Sequence, residues 1–596
     1  MIRAPLRPLA RILDARSKGE NPDLIERENL RLRHDAMRER AMGRAKVRLW
    51  TLAISFAFVF SAIGLRMGYM SSQTPVEPVS EQGANTIQAQ RADITDRQGH
   101  ILATNMLTNS LYAQTADMVD PPRVARELAE LFPELNEADL LRRFTDGRSF
   151  LWIRKVLSPE QQQAVHEIGD PGLLFGPREM RLYPNANLAA HILGGASFGD
   201  EGVNSAELIG VAGIEKALDQ RLRDPAMAGQ PLALTIDLTL QAAMEEVLGA
   251  SMVMMQAKGA AGILMNVQTG EILAMASLPD FDPNNRPSPI VAKGADAADS
   301  PLFNRAVQGV YELGSTFKIF TAAQAMELGL VNPDTQVDTS YLKIGRKRIT
   351  EFDNKNYGPT KSVSEIMEVS SNIGTGHMAL MIGAERQQAF FTALGLLDAS
   401  PVELIEAPGA KPLRPARWPD IVTVTASFGH GMSSSPLNLA AAYATIANGG
   451  IKVSPTLLAR TEPMRGIRVI SPQVSRDAVA MLRRVVVSGT ATLADIPGYL
   501  VAGKTGTADK PRPGGGYYED KVINTFAAVF PADNPQYVLV VTMDEPLGSS
   551  GGEVRRTAGW TAVPVAGEII KRIAPLMGMV PAVEEPAPDG ITAVKN

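Results

Sequence analysis

Hydrophobic and polar positions follow different periods along this chain, and each period marks a different part of it. Leu49 to Leu65 (LWTLAISFAFVFSAIGL) is apolar and uncharged for seventeen residues and is bounded by Arg48 and Arg66. As a helix rising about 1.5 Å per residue it covers about 25 Å, close enough to a hydrocarbon core of about 30 Å for the flanking arginines to snorkel. A membrane-spanning helix is therefore expected over 49–66. A cleaved signal peptide, with Ala62-Ile63-Gly64 as its small-x-small site, and a buried core helix are the rival readings; the 48 residues ahead of the apolar run are too many for the first. Asn21 to Arg48 reads as a charged helix without an apolar face, and residues 67–90, with Pro75 and Pro78, as an extended stalk.

Past the stalk the period changes. Arg91 to Ala103 alternates around a turn at Gln98-Gly99, a hairpin pattern, whereas Pro121 to Ile168 is spaced like helix. This mixed segment ends near Pro225, and Arg97, Arg181 and Glu215 are its candidates for buried or paired scaffold residues. A second unit begins near Gln230: a helix through Met255, buried strands at Gly262–Val267 and Glu271–Ser277, then mostly helix to Asn448-Gly449-Gly450. Strands return at Tyr499–Thr505, Asn524–Phe530 and Tyr537–Met543, and a helix over Val563–Ile573 closes the unit. Strands at both ends around a helical middle predict an α+β fold, one antiparallel sheet with helices on both faces. The expected organisation is a basic tail (1–48), a span (49–66), a pedestal (67–225), a larger unit (226–578) and a disordered Pro/Ala/Glu-rich tail (579–596).

Composition and charge narrow this picture. At 596 residues the chain is too long for one core, and 45% hydrophobic with 21% charged residues is ordinary for folded protein. Residues 1–48 carry thirteen Lys/Arg against seven Asp/Glu, a net of +6; a total of −5 leaves −11 for the rest, which argues against nucleic acid as a partner. Arg38, Arg40, Arg44, Lys46 and Arg48 precede the apolar run, and residues 67–90 contain no Lys or Arg. The positive-inside rule then puts the N-terminus in the cytoplasm and everything after Arg66 outside. There is no cysteine, and none of the six histidines is spaced like a metal-ligand pair, so a serine-based mechanism without metal or cofactor is expected.

The candidate chemistry lies in three short motifs. Ser315 and Lys318, in Gly314-Ser315-Thr316-Phe317-Lys318, are one turn apart at the start of an apolar helix, so an amine with a depressed pKa can take the serine's proton. A second Ser-x-x-Lys, Ser340 to Lys343, precedes the alternating stretch Leu342 to Ile349, where residues three apart point to opposite faces. Ser370-Ser371-Asn372 is the one Ser-x-Asn and Lys504-Thr505-Gly506-Thr507 the one Lys-Thr-Gly in the chain. Ser370 can relay a proton and Asn372 can hold a substrate backbone and the lysine; Lys504, Thr505 and Thr507 suit a carboxylate, and Gly506 admits a ligand close to the backbone. Backbone N–H groups of Ser315 and Thr507 are the candidate oxyanion hole. Taken singly, a helix cap at Ser370 and a strand end at Lys504 are the plainer readings.

Together the three motifs are those of penicillin-binding proteins and class A β-lactamases. With one N-terminal span, Arg91-x-x-Ile94-x-Asp96-Arg97-x-Gly99, Arg181-x-Tyr183-Pro184 and Gly213-Ile214-Glu215, residues 45 to 575 resemble a class B penicillin-binding protein. Met265 to Ser277 and Phe428-Gly429-His430-Gly431 to Gly450 look most like the FtsI type. Ala92 departs from the glycine usual there. The resemblance implies a penicillin-binding, serine transpeptidase fold with an all-helical lobe on a dimerisation-type pedestal. It implies a periplasmic, inner-membrane D,D-transpeptidase acting at the septum on peptidoglycan stem peptides, acylated by β-lactams, and partnered by an FtsW-like glycan polymerase and other division proteins. Glycan polymerisation is not expected. An elongation-type class B transpeptidase, a serine β-lactamase and a non-catalytic division scaffold are the alternatives.

Overall fold

The computed structural model describes residues 7–72, 91–198, 208–227, 229–290, 296–460, 466–512, 515–550 and 553–582. The chain divides into two compact units, Met1–Ile87 and Gln88–Asn596. In the first, α1 (Arg7–Ser17) precedes α2 (Pro22–Ser72), which carries the charged stretch and the apolar run in one uninterrupted helix. It contains one segment long and apolar enough to cross a membrane, and Leu49, Phe58 and Leu65 on it are exposed, as a lipid-facing surface requires. The stalk expected from residue 67 is helical as far as Ser72, because the first proline comes only at Pro75; its remainder lies outside the described residues.

The second unit opens with the expected hairpin. β1 (Ile94–Thr95) and β2 (Ile101–Gln114) turn at Gly99, whose φ of 91° favours glycine, and the Asp96 carboxylate closes the turn by accepting the N–H groups of Gln98 and His100, both at 2.8 Å. Three helices follow in the expected helical stretch, α3 (Pro121–Leu131), α4 (Glu137–Thr145) and α5 (Pro159–Ile168), but β3 (Phe150–Leu157) interrupts them. The aromatic and β-branched run Phe-Leu-Trp-Ile-Arg-Lys-Val-Leu favours strand; Leu151, Ile153 and Leu157 face a core of Leu111, Leu128, Phe132, Phe144 and Val165. β2 pairs antiparallel with β3 and with β4 (Leu173–Leu182), and β1 pairs in parallel with β5 (Leu232–Ala233).

The base of the pedestal shares its core with the larger unit. Ile94, Leu102, Tyr183, Ile214 and Leu234 belong to the same buried cluster as the main sheet, while residues 111–175 hold a core of their own. A polar knot lies at this base. Glu215, with no exposed surface, receives Arg91 Nε at 2.6 Å and Arg181 Nε at 2.7 Å, and Arg91 Nη1 reaches Asp219 at 2.6 Å. Of the three expected scaffold residues, Arg97 is not in the knot. It is exposed, 4.0 Å from Glu271, and Arg91 takes its place.

The main sheet is antiparallel throughout, in the order β10 (Ala502–Pro511), β11 (Tyr517–Phe530), β12 (Tyr537–Asp544), β6 (Gly259–Asn266), β7 (Ile272–Leu278). α6 (Leu238–Met254) and α12 (Ala562–Leu576) pack together on it, as does α10 (Pro436–Ala447). Between β7 and β10 runs the helical part, with α7 (Lys318–Glu327), α8 (Val363–Val369), α9 (Asn372–Ile382) and α11 (Pro472–Val487), interrupted by a small hairpin of β8 (Leu342–Ile344) and β9 (Lys347–Ile349). The terminal tail begins against the domain, Ala582 N–H reaching Gly498 O at 2.8 Å; residues 583–596 lie outside the described residues.

Glu215→Ala strands two buried guanidinium groups and is expected to lower unfolding free energy by about 3–5 kcal/mol, against about 0.5 kcal/mol or less for Arg97→Ala. Denaturant unfolding of the purified chain checks this, and equal losses for the two variants would contradict the knot's structural role.

Candidate active site

Three segments far apart in sequence converge beside the edge strand β10. Gly314–Phe317 forms a single 3-10 turn ahead of α7, tighter than the α-helical start expected at Ser315. In such a turn residues three apart eclipse, so Ser315 and Lys318 still share a face. Two glycines let this turn lie on the strand. Gly314 has φ 58°, and a Cβ there would stand 2.9 Å from Thr507 O; a Cβ on Gly506 would stand 2.2 Å from Leu313 O. The open side of Gly506 thus admits the protein's own backbone, where the sequence had suggested room for a ligand. Behind the turn Phe317 meets Phe320 and Phe391, and the Tyr443 hydroxyl of α10 donates to Thr316 O at 2.7 Å.

The second segment joins α8 to α9. Ser370 has left-handed backbone, φ 62° and ψ 47°, as the C-cap of α8, a conformation costing a residue with a side chain about 1–3 kcal/mol. Ser371 Oγ caps α9 by accepting Gly374 N–H at 3.0 Å. The bend turns the Ser370 hydroxyl toward two buried lysines. Lys318 Nζ donates to Ser370 Oγ at 3.1 Å and to Asn372 Oδ1 at 2.8 Å, and also contacts Ser370 O. Lys504 Nζ, from β10, reaches the same Ser370 Oγ at 2.9 Å. Ser315 is half-buried, and among the described residues its hydroxyl makes no hydrogen bond; the direct bond to Lys318 that their spacing suggested is absent because the amine is turned to the Ser370 loop.

Electrostatics separate these amines from ordinary lysines. Burial pushes Lys318 down to about 7, with the Glu351 carboxylate opposing the shift. Lys504 is pushed well below the usual lysine range, first by burial and then by Lys318. At neutral pH the cleft therefore contains neutral amine, the form that can accept a proton.

The threonines of the third motif are already tied. Thr505 Oγ1 and Thr490 Oγ1 are 2.6 Å apart, and Thr507 Oγ1 accepts Ala558 N–H at 3.0 Å, which leaves the Thr507 proton free to be donated. Gly314 against Thr507 brings the backbones of Ser315 and Thr507 side by side. Ser340 is elsewhere engaged, its hydroxyl bound to Asp338 Oδ1 at 2.7 Å on the surface. Four partners were not apparent in the sequence: Tyr443, Thr490, Ala558 and Glu351. Glu351, 5% exposed, accepts Asn372 N–H at 2.6 Å, Ile373 N–H at 3.2 Å and the Ser371 hydroxyl. Its one faint signal is its place just past the alternating stretch ending at Ile349.

Residues 260–571 match the penicillin binding protein transpeptidase domain, and residues 86–226 the penicillin-binding protein dimerisation domain. The chain belongs to the class B penicillin-binding proteins. It is 35% identical over 573 residues, 92% of each chain, to the probable peptidoglycan D,D-transpeptidase FtsI of Caulobacter vibrioides. To the peptidoglycan D,D-transpeptidase FtsI of Escherichia coli it is 27% identical over 562 residues, 89% of this chain and 92% of the relative. Among solved structures it resembles penicillin binding protein 3 from Mycobacterium tuberculosis in complex with aztreonam, at a TM-score of 0.62 and 25% identity, over 83% of this chain and 98% of that one. The α+β penicillin-binding fold expected from the sequence is the fold found.

In this class B penicillin-binding protein the unfolded Lys318 stays protonated up to its ordinary 10.5, whereas the folded one loses its proton near 7. Between those values the unfolded chain holds the extra proton, so stability is expected to rise with pH there. Unfolding free energy measured at pH 7, 8 and 9 checks the sign, with Lys318→Met flattening the slope; the same slope in that variant would contradict the assignment.

Proposed function

We propose that this chain is a serine D,D-transpeptidase that cross-links peptidoglycan stem peptides during septal wall synthesis. The observation that carries the reading is the meeting of Lys318 and Lys504 on Ser370 Oγ, in the cleft where the Ser315 hydroxyl has no hydrogen bond among the described residues. Ser315 Oγ attacks the carbonyl carbon of the penultimate D-alanine, and neutral Lys318 accepts its proton. The tetrahedral oxyanion is held by the N–H groups of Ser315 and Thr507. On collapse, Ser370 passes a proton from the amines to the leaving nitrogen, and terminal D-alanine departs. An amine from a neighbouring stem then attacks the ester and loses its proton along the same path. Lys504, Thr505 and Thr507 hold the donor's terminal carboxylate, while Asn372 holds its backbone and the Lys318 amine. β-Lactams acylate the same serine.

The apolar helix suits a membrane anchor, and the basic flank supports a cytoplasmic N-terminus with residues beyond Arg66 in the periplasm. An FtsW-like glycan polymerase and other division proteins are the partners this reading implies. The FtsI names of relatives support septal work. Depletion in the living cell is then expected to give filaments, and round cells would point to elongation.

A fluorescent β-lactam is expected to label the detergent-solubilised chain, and Ser315→Ala to abolish labelling. Lys318→Arg, which keeps the charge but cannot act as base near neutral pH, is expected to slow acylation by about 10²–10⁴-fold. Labelling that persists in Ser315→Ala would move the nucleophile elsewhere.

A further inference from the structure

Glu351 sits where the active-site loop, the helix behind it and the general base meet. The β8–β9 hairpin is pinned by an apolar cluster in which Leu342 and Ile349 pack with Ile373, Val424 and Phe428. Two residues past Ile349, the chain delivers the Glu351 carboxylate to the N-terminus of α9. There it takes three donors in succession, the Ser371 hydroxyl and the N–H groups of Asn372 and Ile373. Thr350 contributes next to it, its carbonyl accepting Asn372 Nδ2 at 3.0 Å, so that Asn372 Oδ1 faces Lys318. Ser371, the residue gripped by Glu351, is the middle of Ser370-Ser371-Asn372.

From this geometry we infer that Glu351 is a positioning residue of the transpeptidase: it fixes the loop that presents Ser370 and Asn372 to Lys318 and supplies a buried negative charge behind that loop. The inference rests on the serine transpeptidase reading above. Two physical facts support it. The one carboxylate accepts from all three donors, and the left-handed Ser370 next door is a strained conformation that persists only when its surroundings hold it. Second, Glu351 accepts the N–H of Asn372, whose Oδ1 lies 2.8 Å from Lys318 Nζ, and its carboxylate opposes the downward push that burial exerts on that lysine. Burial, and then the Glu351 and Asp353 carboxylates, push the Tyr357 hydroxyl up, so Tyr357 is a further titratable group within the field of Glu351. A neutral group at 351 removes a negative charge that favours protonated Lys318.

The sign follows directly. Without the carboxylate Lys318 loses its proton at lower pH, so the acidic limb of the acylation profile moves down. In Glu351→Gln the limb is expected to move down by about one pH unit, and the plateau to fall at least about tenfold as the loop loses its grip. Glu351→Asp keeps the charge but reaches less far; its limb is expected to stay at the wild-type pH while its plateau falls.

The experiment is β-lactam acylation of the full-length, detergent-solubilised chain across pH 5.5–9.5 for wild type and both variants, with thermal melting alongside. A lowered plateau with an unmoved limb in Glu351→Gln would leave only a structural role and overturn the electrostatic half. An undiminished plateau in Glu351→Asp would overturn the positioning half, and if Glu351→Gln does not fold, a limb that moves in Glu351→Asp although the charge is kept would overturn the electrostatic half. If wild type acylates at a residue other than Ser315, the transpeptidase mechanism fails first, and the inference with it.

Discussion

Two lysine amines meeting on one serine hydroxyl, out of reach of water, constrain the rest of this molecule. Lying 3.1 and 2.9 Å from the Ser370 oxygen, the nitrogens of Lys318 and Lys504 are no farther than about 6 Å apart. Burial is the larger cause that holds both amines below the ordinary lysine range, and for Lys504 the neighbouring Lys318 adds to it. The cleft therefore keeps amine in the neutral form at physiological pH, and that is the property a serine nucleophile needs beside it. The surrounding structure is arranged to tolerate this: a strained Ser370, glycines that bring two backbones into contact, and an aromatic wall behind the 3-10 turn.

The pedestal is tied into this arrangement through a shared core. Parallel pairing of Ile94–Thr95 with Leu232–Ala233 closes the chain on either side of the pedestal, and the apolar cluster runs from Ile94 through Ile214 to the main sheet. Arg91, Arg181 and Glu215 sit at the junction. With Asp219, which takes the other side of Arg91, two guanidinium groups face two carboxylates, and this balance is what allows the charges to occupy so dry a site.

Much of this was legible because local chemistry and global fold agree. The strands β6, β7 and β12 of the main sheet are mostly apolar, the Gln98-Gly99 turn has its glycine, and each of the three motifs sits where a helix, loop or strand naturally places it. Where the reading missed, the cause was tertiary. Phe150–Leu157 was hidden in a helical stretch because its buried positions mix with a half-buried Arg154 and an exposed Lys155. Arg91 and Arg97 are indistinguishable without knowing which one faces Glu215. Gly506 was assigned to a ligand when the carbonyl of Leu313 occupies its open side. Glu351 acts on residues twenty positions away, which no periodicity records.

The central claim is that Lys318 exchanges its proton near neutral pH in the resting protein. NMR titration of the lysine Cε resonances, with Lys318 assigned from its Met variant, reads this without reference to turnover. The account predicts a Lys318 resonance that titrates at about 7. A midpoint near 10.5, the value of a lysine in water, would contradict it.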